Sequence, residues 1–122
     1  MFSKIALTGI LALAMATPAF NSAAAHTAYD GSWALTIMTK RGACDPTYNF
    51  QVQIANGIVS HPNLVKLRGR VSSGGGVRVS VAAGDKFAAG SGSLTRTSGR
   101  GHWSGHSGAD RCSGSWTAQR NG

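Results

Sequence analysis

Tyr48-Asn49-Phe50-Gln51-Val52-Gln53-Ile54-Ala55-Asn56-Gly57-Ile58-Val59 is the stretch that decides the fold. Tyr48, Phe50, Val52 and Ile54 are apolar, and Asn49, Gln51 and Gln53 between them are polar. Side chains of a strand point alternately to its two faces, so this rhythm gives one buried and one wet face. Asn56-Gly57 then interrupts the pattern, and Ile58-Val59 resumes it. A two-residue hairpin turn of the favoured hand needs positive φ at both central positions, which Asn-Gly tolerates. The segment therefore reads as a β-hairpin.

The same rhythm recurs on both sides. Upstream, Trp33, Leu35 and Ile37 share a face from Gly31 onward. Downstream, His61-Pro62-Asn63 breaks the chain. Val65, Leu67, Gly69 and Val71 then alternate with Lys66, Arg68 and Arg70. Ser72–Gly76 reads as a turn, after which Val77, Val79 and Val81 alternate with Arg78 and Ser80. Gly84-Asp85 ends that strand, and a weaker one runs from Lys86 through Phe87 and Ala89 to Leu94. Ser98-Gly99-Arg100-Gly101 reads as a turn into a strand through His102, Trp103 and His106. After Gly108-Ala109-Asp110, Cys112, Gly114, Trp116 and Ala118 share the face of a last strand. Seven or eight short strands at spacings near ten residues predict an all-β antiparallel meander, closed into a small barrel or folded as a sandwich. The glycines inside strand patterns fit the tight bends of a small barrel.

The amino terminus differs from the rest. Lys4 precedes an apolar run from Ile5 to Ala16, and Pro18 leads to small residues ending Ala23-Ala24-Ala25. A charged head, a short apolar body and small residues before a cleavage point form a signal-peptide pattern. The apolar run is about 12 residues long, against the about 20 a spanning helix requires. Cleavage after Ala25 divides the chain into a signal peptide, 1–25, and one domain, 26–122. The expectation is an exported protein, periplasmic or extracellular, with no membrane span after cleavage. Cys44 and Cys112, the two cysteines, are then expected to be paired.

Charge is lopsided. The chain has 12 Lys and Arg against four acids, all Asp, for a net charge of +8. Without Lys4 the balance becomes 11 against four, or +7. Such a surface attracts polyanions, and it also keeps a small exported protein soluble.

Residues Tyr29 to Arg120 resemble a group of small exported alphaproteobacterial proteins of unestablished activity, often labelled "heme utilization or adhesion". Four segments carry the resemblance: Tyr29-Asp30-Gly31-Ser32-Trp33, Gly42-Ala43-Cys44-Asp45-Pro46, His61-Pro62-Asn63-Leu64-Val65 and Cys112-Ser113-Gly114-Ser115-Trp116-Thr117-Ala118-Gln119-Arg120. The Gly-x-Trp opening and the late Trp are also similar to those of avidin-type barrels, a likeness of fold alone. The heme label implies an axial ligand, for which a histidine or Met38 is the candidate, although the chain has no Cys-x-x-Cys-His attachment motif.

Candidate sites follow from the pattern. Val65–Val71 and Val77–Val81 read as two arms of one hairpin, so Lys66, Arg68, Arg70 and Arg78 are expected on its outer face, suited to sulfate, phosphate or carboxylate groups. The same face also reads as a solvated outer surface whose cations protect an edge. A Cys44–Cys112 bond draws Asp45, Asp110, Arg111 and Arg41 to one end, as a polar site or a rim of ion pairs. His102 and His106, four apart on a strand, are about 13 Å from each other and cannot share one metal without a bulge. Trp33, Trp103 and Trp116 read as core anchors, or as the lining of a ligand cavity. No Gly-x-Ser-x-Gly elbow is present, and four Asp without Glu make a poor supply for glycosidase chemistry.

The leading expectation is a non-enzymatic exported binding module whose basic face contacts an anionic envelope or extracellular polymer. The alternative is a small-ligand carrier, for heme or another apolar ligand, with an interior pocket. A small basic secreted hydrolase comes third, with His102, His106 and Lys86 as candidate residues. No catalytic residue, metal site or cofactor is assigned.

Overall fold

The computed structural model describes residues 27–122; the expected signal peptide, 1–25, lies outside them. The described chain is all-β. Eight strands follow in order: β1 (Gly31–Arg41), β2 (Thr47–Ala55), β3 (Ile58–Ser60), β4 (Leu67–Val71), β5 (Gly76–Ala83), β6 (Lys86–Leu94), β7 (Ser98–Ser107) and β8 (Asp110–Arg120). Each pairs antiparallel with the next, and β8 returns to β1, so the sheet is a closed meander barrel. Closure removes the free edges that invite aggregation.

Local chemistry explains the turns. Asn56 and Gly57 have φ of 55° and 77°, as the Asn-Gly hairpin requires, and Ala55 pairs with Ile58 across them. Asp30 holds this hairpin from outside the sheet, its carboxylate accepting from the Asn56 and Gly57 N–H groups and from the Thr27 hydroxyl.

Two expected boundaries move. Ser98–Gly101 is not a turn but the start of β7; the turn lies just before it, at Thr95–Thr97. There Thr95 Oγ1 accepts from the Thr97 and Ser98 N–H groups. Gly99 and Gly101 are strand residues because neighbouring side chains occupy the space a Cβ needs. Gly99 lies against Leu94, and a Cβ at Gly101 would come within 2.6 Å of the Trp116 ring. Likewise Val65 and Lys66 precede β4 in a turn rather than belonging to it. Val65 is 83% exposed, and Leu64 and Leu67 donate N–H bonds three residues back, to His61 and Leu64.

The interior is uneven along the barrel axis. One end carries the amino-terminal half of β1, the 56–57 turn and the end of β8. Here Trp33, Val52, Ile54, Val59, Val71, Val77, Leu94, Trp116 and Ala118 form a buried cluster, with Trp33 only 1% exposed. Arg120 closes this end. Its guanidinium donates to the Ala28 and Arg96 carbonyls at 2.8 and 3.0 Å and to that of Asp30, and lies 5.6 Å from the Trp33 ring centre. The opposite end carries the Gly42–Pro46 loop, the 61–66 turns and the 84–85 and 108–109 turns. Its inward residues Leu35, Ile37, Leu67 and Val79 are only partly buried.

Cys44 and Cys112 are bonded at this second end, with Cα atoms 6.1 Å apart. Gly42 has φ of 96° and packs so close that a Cβ there would lie 2.9 Å from Cys112 Sγ.

Candidate functional site

The barrel interior holds a cavity of about 300 Å³, whose lining runs from Trp33 and Trp116 at the buried end to the exposed Ala83, Lys86 and Phe87 at the disulfide end, its mouth. Its walls differ in kind. On one side stand aliphatic and aromatic residues of β1, β2, β4 and β5: Leu35, Ile37, Tyr48, Phe50, Val52, Leu67, Val79 and Val81. On the other side the inward positions of β6 to β8 are mostly small, with Ala88, Gly90, Gly92, Gly99, Gly101, Gly105 and Gly114 among them. Small barrels are normally filled by their side chains. Here the missing Cβ atoms leave floor space that the Trp116 indole covers.

This ring lies close over glycine backbone. A Cβ at Gly92 or Gly101 would approach Trp116 carbons at 2.6 Å. The Trp116 Nε1–H donates to the Ser91 carbonyl, and the Trp103 Nε1–H donates to the Met38 carbonyl at 3.0 Å. Trp33 Nε1–H is likewise taken up, by the Tyr29 carbonyl at 2.9 Å. Every indole donor is satisfied by backbone, so the three rings offer the cavity carbon alone. Trp33 and Trp116 belong to the buried cluster while Trp103 packs on it partly buried, and all three also line the cavity. Core anchor and cavity lining are thus one arrangement rather than alternatives. Gly92 and Gly101 make room for the Trp116 ring, whereas a Cβ at Gly105 or Gly114 would strike the backbone of the neighbouring strand.

Polar lining is confined to the mouth. Lys86 and Ser107 are direct neighbours across β6 and β7 at inward positions. His106 and Phe87, also paired, stack with ring centres 6.1 Å apart at the lip. Tyr48 OH accepts the Asp45 N–H at 3.3 Å.

The outer face carries a second feature. Arg70 pairs directly with Arg78, Arg78 with Ser91, and Ser91 with His102, which forms a continuous outward row across four strands. Arg68 joins it from β4, opposite Ser80, and all of these line one shallow groove. Arg68, Arg70 and Arg78 make no ion pair among the described residues. Lys66, expected on this face, stands apart from it in the turn before β4. Asp45, Asp110, Arg111 and Arg41 do gather at the disulfide end, all exposed, but make no bond with one another. His102 and His106 point outward on β7, as the alternation predicts.

No three His, Cys, Asp or Glu side chains form a possible metal site among the described residues. Nor does any strand place a histidine or methionine at an inward position: Met38 and His102 face outward, His106 reaches only the lip, and His61 lies in a turn. The interior therefore does not fit an axially ligated heme. Most outward positions are polar, among them Asn49, Gln51, Gln53, Arg68, Arg78, Ser91 and Thr117, although Ile58 and Phe87 also face outward. No known protein family, curated protein or solved structure matches the chain.

Proposed function

We propose that this protein is an exported, non-enzymatic barrel that binds a small apolar ligand in its interior. The observation carrying this reading is the cavity of about 300 Å³, whose three indoles have their N–H groups turned away into backbone bonds. Ligand pockets of this kind start near 300 Å³ and combine apolar walls with few polar groups. The disulfide and the amino-terminal signal pattern support export. Titration with octanol, followed by tryptophan emission and calorimetry, tests the reading. Saturable binding that Val79→Trp abolishes, with the fold retained, is the expected result. An emission unchanged up to octanol saturation contradicts it.

A second reading rests on the outer row of Arg70, Arg78, Ser91 and His102 with Arg68 beside it. Guanidinium forks beside hydroxyls suit the sulfate, phosphate or carboxylate groups of an anionic polymer. Such binding weakens steeply with salt. Dextran sulfate affinity should fall with added NaCl and drop further in an Arg70→Ser, Arg78→Ser double variant. An affinity independent of both removes this reading and leaves the cavity untouched.

A further inference from the structure

The distribution of polarity around the cavity defines the ligand more narrowly. The walls and floor present carbon, and the indole donors are already bonded. Among the residues lining the cavity, Lys86 is the one that carries a full charge, and it stands at the mouth. Its position is fixed by register. Ala83 pairs with Lys86 and Lys86 with Ser107, in the inward column that continues through Ala88 and Gly90. The Ser107 hydroxyl is therefore its immediate neighbour. Asp45 and Asp85 sit in the loop and turn of this end, Asp110 opens β8 opposite Ser107, two strands from Lys86, and none of the three lines the cavity.

We propose that the ligand is an amphipathic anion. Its apolar chain enters the barrel between Trp103 and the β1–β2 wall, and its acidic head stays at the mouth, held by the Lys86 ammonium with Ser107 beside it. This proposal rests on the cavity reading above. A lysine suits such a head because its ammonium is a compact charge on a flexible stem, able to follow a wet group. The head keeps part of its water, so the charge adds preference while the buried chain supplies most of the affinity.

Three probes of equal chain length separate the terms: octanoate, octanol and octyltrimethylammonium, titrated below their aggregation limits at pH 7.5. Octanoate should bind about fivefold tighter than octanol, the scale of one exposed charge contact. Octyltrimethylammonium should bind more weakly than octanol. In Lys86→Ala and Lys86→Met, octanol affinity should persist while the preference for octanoate disappears. Arg100→Ala removes an exposed outer cation that lines neither the cavity nor the arginine groove and should leave the preference intact, which separates a local contact from net charge. Octanoate no tighter than octanol, or a preference that survives both Lys86 variants, overturns the proposal while the cavity reading stands. If none of the three binds, both fall together.

Discussion

Asp30 holds the Asn56-Gly57 turn from 26 and 27 positions away in the chain. Its bonds, first from the Thr27 hydroxyl and then from the Asn56 N–H, lower its pKa from 3.8 to about 2. The unfolded chain binds the proton more readily, so the Asp30 contribution is complete above about pH 4 and fades as pH falls toward 2. Acid unfolding followed by far-UV circular dichroism should show this loss, and Asp30→Asn should be less stable at pH 7 with a flatter profile between pH 4 and 2. The Asn56-Gly57 turn was legible in the sequence because a rare backbone state demands those residue types. The roles of Asp30 and Arg120 were not, because their partners lie far along the chain, Arg120 spanning three carbonyls and a tryptophan face. The glycines divide by the same logic. Gly101→Ala pushes a Cβ into the Ser91 carbonyl and the Trp116 ring, whereas a Cβ at Gly74 meets nothing within 4 Å. Thermal melts should place the cost of the first at about 1–3 kcal/mol and the second near zero.

Strands followed the two-residue rhythm wherever apolar side chains marked it. β1, β2, β5 and β8 lie where Trp, Val, Ile and Phe alternate with polar residues. β7 began earlier than expected because its first inward residues are glycines, which carry no apolar signal and resemble turn punctuation. β4 began later because the Val65 and Lys66 alternation continued past the true strand end into solvent. Strand length also grades stability. β3 has three residues and meets β4 through the single pair Ile58 and Arg70, while β7 and β8 pair without a break from Ser98–Gln119 to Ser107–Asp110. Native-state hydrogen exchange should therefore find the Ile58–Ser60 amides less protected than those in the middle of β7 and β8. The disulfide acts across elements, tying the loop after β1 to the start of β8 over a separation of 68 residues. Loop entropy assigns such a closure about 4 kcal/mol. A Cys44→Ser, Cys112→Ser double variant should melt about 15 °C or more lower, given the sensitivity of a domain this size.

For the molecule as a whole, the closed meander followed from strand count and spacing, but the hollow did not. A cavity depends on which residues face each other across the barrel, and the small inward residues of β6 and β7 meet the apolar columns of β1 and β2 only after closure. The arginine row was partly legible, since Arg68, Arg70 and Arg78 share a hairpin face, while Ser91 and His102 join it through strands far along the chain. The proposed function requires that apolar space between Trp103 and the β1–β2 wall can take up a ligand. Diffraction from crystals pressurised with xenon probes that space, because xenon enters apolar cavities without needing any polar partner. Xenon density is expected inside the barrel beside the Trp103 ring. Side chains filling that space, with no xenon bound there, would contradict it.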